Sequence, residues 1–184
     1  MSWGLPSAEQ VASGEAADLD VFVFTHAAGL CKELWAPVWT HLQAGLADAG
    51  RRGAFLALDA VGHGDTPEDG AAGRDWPVWY LSALRSAMRT HGAGRVTGVG
   101  HSFGSVPLMQ HAWAAGQDPA VLAALPHRPG MPSLCPMTPA FDHLVVVEPV
   151  MVPALLPPEE QHRDNALSRQ AEQRRPSFPD LQAA

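Results

Sequence analysis

Arg95-Val-Thr-Gly-Val99 runs directly into Gly100-His101-Ser102-Phe103-Gly104, and a helix-permissive stretch follows through about Ala115. An apolar strand, a Gly-x-Ser-x-Gly turn and a helix in succession are the sequence form of a nucleophile elbow. So tight a turn drives its central residue into strained backbone geometry, and small residues two positions to either side, here Gly100 and Gly104, avoid the collision that would follow. The same turn sets the Ser102 hydroxyl at the N-terminus of the next helix, where the helix dipole favours developing negative charge. Two other readings of these residues are weaker. An ordinary glycine-rich turn needs neither the strand before it nor the helix after it. A dinucleotide-binding loop would begin at Gly98-Val-Gly100, but its sixth position is Phe103, and the next glycine, Gly104, comes one residue late.

Outward from the elbow, strands and helices alternate. Val21-Phe-Val-Phe-Thr25 is a short apolar run ending at a turn, as a buried strand does. Trp35, Val38, Trp39, Leu42 and Leu46 then recur at helical spacing, with Pro37 tolerable in a first turn. Ala54–Asp59 reads as a second strand and leads into the turn Val61-Gly-His-Gly-Asp65. Trp76, Tyr80, Leu84 and Met88 mark a further helix, Pro126–Pro139 a Pro-rich loop, and His143-Leu-Val-Val-Val-Glu148 a fourth strand. Strands separated by helices imply an α/β fold with a mostly parallel sheet covered by helices on both faces. By composition the chain divides into an N-terminal segment, 1–19, a core, 20–156, and a charged helix-permissive stretch, 157–184.

Bulk properties narrow the function classes. At 184 residues and 46% apolar, the chain has length for one domain with a substantial core. A net charge of -7 without a basic stripe argues against nucleic acid or an anionic membrane surface as partner. Leu144–Leu156 is the most apolar stretch, and Glu148, Pro149 and Pro153 break it far short of the roughly 20 residues a membrane helix needs. Cys31 and Cys135 form no multi-bridge framework and show no metal spacing, so a reducing, cytoplasmic setting is expected, with no metal and no cofactor.

The turn Thr25-His26-Ala27-Ala28-Gly29 follows the first clear strand. Acyl transfer needs two backbone N–H donors fixed around an oxyanion. Phe103, the residue after Ser102, would supply one and this turn the other, at Ala28. A plain strand-to-helix turn with Gly29 relieving strain accounts for the same residues almost as well.

Four segments together carry a resemblance: His26–Trp35, Asp59-Ala-Val-Gly-His-Gly-Asp-Thr66, Gly98–Gly104 and Val145–Val150. In this order they resemble an α/β-hydrolase. They are most similar to the fungal branch of toxin-biosynthesis hydrolases, to which a yeast peroxisomal lipase is also related. Arg174-Arg-Pro-Ser-Phe-Pro179 is similar to the start of that branch's lid region. The resemblance implies an α/β-hydrolase fold and a serine hydrolase acting on a small acyl-type substrate, an ester, thioester or related bond. In such proteins Ser102 would be the nucleophile, Ala28 and Phe103 the oxyanion hole, and Gly62–Asp65 a wall of the site. The C-terminal Gln-Ala-Ala does not match a peroxisomal tripeptide.

The departures matter as much. The family's triad runs Ser, acid, His along the chain, and the His follows two further strand–helix units of about 30 residues each. Residues 149–184 hold no strand-like run and a single histidine, His162, in the charged stretch. The expectation is therefore a chain lacking the last strands and the catalytic His. Glu148 stands where some branches carry their acid, and reads equally as a strand-end acid before a proline. His26, His63 and His101 read as turn residues or pocket walls. A non-catalytic module binding a small apolar or acyl ligand in the same pocket is the alternative. Without a later strand, His143–Glu148 would form an exposed sheet edge, Val- and Leu-rich and prone to self-association.

Overall fold

The computed structural model describes residues 2–3, 7, 10, 13, 15, 18–67, 95–118, 120 and 141–150. The helix expected around Trp76–Met88, the Pro126–Pro139 loop, His162 and Arg174–Pro179 lie outside the described residues. Contacts divide the chain into Met1–Val150 and Met151–Ala184, six residues ahead of the boundary read from composition. All the described residues belong to the first unit.

Its elements in chain order are β1 (Ser2–Trp3), β2 (Leu19–Thr25), α1 (Ala36–Asp48), β3 (Arg52–Leu58), β4 (Arg95–His101), α2 (Ser105–Ala115) and β5 (His143–Val147). Single 3-10 turns, Lys32–Trp35 and Ser102–Gly104, lead into α1 and α2. The sheet runs β1-β3-β2-β4-β5, with β3, β2, β4 and β5 mutually parallel and β1 antiparallel on β3. This is the α/β class expected, with one addition. Ser2–Trp3 contributes an edge strand too short for any periodicity to reveal.

β2 lies at the centre and is buried almost throughout. Alternate side chains point to opposite faces. Val21 and Val23 join Ala54, Leu56, Val96 and, from α2, Leu108 on one face. Phe24 joins Phe55 and Ala57 on the other, packed under Trp35 and Trp39. There the rings meet at centroid distances of 4.7 Å for Phe24–Phe55, 4.9 Å for Trp39–Phe55 and 5.0 Å for Phe24–Trp35. Burying each such side chain contributes on the order of 2 kcal/mol, so the two faces together hold the strands in place. The α1 stripe is narrower than its periodicity suggested: Trp39 and Leu46 are buried, but Val38 is 44% exposed.

The strands also begin and end slightly off their apolar runs. β2 starts two residues earlier, because Asp20 is buried with its Oδ1 2.7 Å from Arg51 Nη2 and 2.8 Å from Arg95 Nε. Burial opposes the Asp20 charge, but the two guanidiniums outweigh it and hold the carboxyl below its ordinary 3.8. Because Arg95 is also the register partner of Asp20, the ion pair fixes how β4 aligns with β2. β4 continues to His101 and delivers the chain straight into Ser102. β5 stops at Val147, one residue short of Glu148, and is exposed along its whole length at the end of the described sheet.

Candidate active site

Four parallel strands finish at one edge of the sheet, and the turns that follow them gather there. They are 26–30 after β2, 59–66 after β3, 102–104 after β4, and Glu148 after β5. The register confirms the gathering, since Thr25 pairs with both Leu58 and Gly100, and His101 with Val147.

Ser102 has φ +52, left-handed backbone that a residue with a Cβ rarely adopts. The strain is enforced from both sides. A Cβ on Gly100 would lie 2.7 Å from Ser105 Cα, and one on Gly104 would lie 2.4 Å from the His26 carbonyl oxygen and 2.5 Å from that of Thr25. All of these neighbours are backbone and cannot give way. The close approach at Gly104 seats the elbow directly on the end of β2, where the Thr25 hydroxyl donates to the Gly104 carbonyl at 2.6 Å.

The turn after β2 is closed by the Leu30 N–H donating to the Ala27 carbonyl at 3.2 Å. Gly29 occupies its third position with φ +77, as a type II turn demands. Ala28 is exposed beside it. The Gly29 N–H donates to His63 Nε2 at 3.0 Å, and His63 Nδ1 lies 3.0 Å from the Val61 carbonyl. A carbonyl can only accept, so the proton sits on Nδ1 and Nε2 is the acceptor. His26 repeats the pattern in the opposite direction: Nδ1 donates to the Ala27 carbonyl at 2.8 Å, and Nε2 accepts the Ala60 N–H at 3.0 Å. Burial pushes the His26 imidazole below its ordinary 6.5, and Asp59, 3.7 Å away, does not reverse this. At 1% exposure, His26 is a buried turn residue. His63 is half-buried, its ring 5.2 Å from that of His26.

A third tie joins the same two turns. Asp59 Oδ1 accepts the Lys32 N–H at 2.7 Å, and Oδ2 accepts Lys32 Nζ at 2.7 Å and the Asp65 N–H at 3.0 Å. Lys32 Nζ further reaches Asp65 at 2.6 Å and Glu33 at 2.9 Å. Burial opposes the Asp59 charge, yet the Lys32 ammonium and the two N–H donors hold the carboxyl below 3.8. The Lys32 ammonium is held well above its ordinary 10.5, first by Asp59 and then by Asp65 and Glu33. Both residues fall within the segments that carry the resemblance, where the sequence alone assigns neither a role. A signal is present nonetheless, since Lys32 is the chain's single lysine and Asp59 closes a buried strand that must pair its charge.

Of the residues singled out from sequence, Ser102 and Phe103 stand at the elbow, Ala28 on the turn beside it, and His101 immediately before Ser102. Glu148 follows β5 with φ +47 and is exposed. Among the described residues no three His, Cys, Asp or Glu side chains are arranged to hold a metal ion, and no helix is long and apolar enough to cross a membrane.

A strained serine leading from a parallel strand into a helix, beside a cross-tied turn at the C-terminal edge of the sheet, defines an α/β-hydrolase-type scaffold. The family description "Alpha/beta hydrolase family" matches residues 22–183, and the chain belongs to that family. One solved structure similar to it is that of the bottromycin epimerase BotH in complex with bottromycin A2. The two share 23% identity at a TM-score of 0.40, over 62% of this chain and 38% of that one. Thus the chain spans well under half the length of that structure. Among curated proteins none matches.

Proposed function

We propose that the chain carries the nucleophile and oxyanion hole of a serine hydrolase acting on an ester, thioester or related acyl bond. The observation that carries this reading is the left-handed φ of Ser102 between Gly100 and Gly104, strain for which a purely structural turn has no use. Ser102 Oγ attacks the acyl carbon, its proton passes to a general base, and the carbonyl oxygen becomes an oxyanion held by the Phe103 and Ala28 amides. Collapse expels the alcohol or thiol, which takes the proton back, and water then releases the acid from Ser102. Glu148 is the acid of the set. The base is neither His26 nor His63, because each already spends its acceptor nitrogen on a backbone N–H. The four motifs quoted for the fungal toxin-biosynthesis branch support only that finer likeness, not a substrate.

A serine-directed fluorophosphonate tests the proposal: one adduct per chain, mapped to Ser102 and lost in Ser102→Ala, supports it. The commitment of both His26 and His63 to hydrogen bonds favours one second reading, a pocket that binds an acyl ligand without turnover. In that case ligand raises the melting temperature equally in wild type and Ser102→Ala, and no adduct forms.

A further inference from the structure

The apolar run of β2 ends on a hydroxyl. Thr25 is fully buried, where a hydroxyl without a partner costs stability, and it follows Val21-Phe-Val-Phe24 at a place that the isosteric Val would suit on hydropathy alone. Its one proton goes to the nearer of two carbonyls, Gly104 at 2.6 Å rather than Val99 at 3.4 Å. Resting on the hydrolase reading above, we propose that Thr25 is a positioning residue for the Phe103 N–H. Its hydroxyl anchors a chain of two peptides, and the second of them carries that donor.

The chain can be followed bond by bond. The Gly104 carbonyl that Thr25 holds belongs to the Gly104–Ser105 peptide, whose other polar group is the Ser105 N–H. That N–H faces the Phe103 and Ser102 carbonyls, and the Ser102 one, three residues back, closes the 3-10 turn Ser102–Gly104. The Ser102 carbonyl in turn belongs to the Ser102–Phe103 peptide, whose N–H is that of Phe103. A peptide is planar, so fixing its carbonyl fixes the direction of its N–H. All the donors point the same way along the chain, and hydrogen bonds in such a series polarise one another toward the last N–H. The start of the chain is rigid. Thr25 sits in register with Gly100, its branched Cβ restricts χ1, and Gly104 has no Cβ to hold the elbow off the Thr25 and His26 carbonyls. A left-handed Ser102 needs such restraint, because backbone strain persists only where the surroundings over-determine it.

The test measures fluorophosphonate capture of Ser102 in the full chain for wild type, Thr25→Val, Thr25→Ala and Thr25→Ser. Val keeps the shape without the hydroxyl, Ala removes both, and Ser keeps the hydroxyl without the methyl. Val and Ala should lower the saturating capture rate roughly 10-fold, short of the 100- to 1,000-fold that losing an oxyanion donor outright costs. The reagent concentration for half-saturation should stay at the wild-type value. Ser should recover most of the rate even where loss of the methyl lowers its melting temperature, a reversal that a purely structural role does not produce. Wild-type capture in folded Val or Ala variants, or slow capture in the folded Ser variant, would overturn the positioning role. So would a chain that folds with Ser but with neither Val nor Ala, since the bond would then serve the fold. A wild-type chain captured no faster than Ser102→Ala overturns the hydrolase reading and this role with it. That outcome is told apart without any Thr25 variant.

Discussion

Ser102 and Glu148 stand at matching places on neighbouring parallel strands: each follows a residue of the pair His101–Val147, and each has positive φ. Among the described residues no other non-glycine does. Backbone strain at two adjacent strand ends, one bearing a serine hydroxyl and the other a carboxylate, is the arrangement expected where geometry is kept for function at a cost in stability.

Glu148 is therefore separable from its strain. Glu148→Gly relieves the left-handed backbone and should raise stability by about 0.5–1 kcal/mol, the relief exceeding the entropy glycine adds to the unfolded chain. Glu148→Gln keeps the strain and should leave the melting temperature within about a degree of wild type. On the proposed hydrolase reading, in which Glu148 is the acid, both should slow fluorophosphonate capture at Ser102. Calorimetry alongside the capture rate checks the pair.

The strand cores and the elbow can be read from the amino-acid order, because buried parallel strands are apolar runs and the elbow tolerates few residues. The start of β2 cannot, because Asp20 looks like a strand breaker until Arg51 and Arg95, from two other segments, are seen to neutralise it. Lys32 and Asp59 meet across 27 positions, a pairing that no local pattern encodes. His26 and His63 stand out in the sequence, but their duties depend on which backbone N–H faces each ring, and only the folded turns decide that.

The Lys32–Asp59 tie is the stronger half of its cluster. Asp59 is 2% exposed at its side chain and Asp65 88%. Lys32→Met strands a buried carboxylate and should destabilise by about 3 kcal/mol. Asp65→Asn touches a screened surface contact and should cost under about 1 kcal/mol. Denaturation of the two variants at pH 7 separates these expectations.

Stability should fall in two stages on acidification. Because burial holds His26 below 6.5, the unfolded chain takes up a proton there that the folded chain refuses. Stability present above pH 6.5 is thus lost as pH falls through the His26 range. Asp59 and Asp20, held below 3.8, add stability present above that value and lost as pH falls further. A urea midpoint followed from about pH 8 to about pH 3 should decline shallowly first and steeply later, with the shallow stage reduced in His26→Gln.

The β5 edge gives a prediction about association. Val145 is 48% exposed, and Leu144, Val146 and Val147 are exposed with it, at the end of the described sheet. An apolar edge of this kind is a pairing template. Sedimentation should show concentration-dependent self-association that Val145→Lys suppresses; a monodisperse wild-type chain at high concentration rules it out.

Whether the Ser102 elbow holds a working nucleophile is decided by covalent capture. Wild type and Ser102→Ala, both shown to melt cooperatively, are incubated with a fluorophosphonate at neutral pH and mapped by peptide mass. A functioning elbow gives one adduct, on Ser102, in wild type alone. Equal labelling of the two chains, or an adduct on any other residue, would show that it is not one.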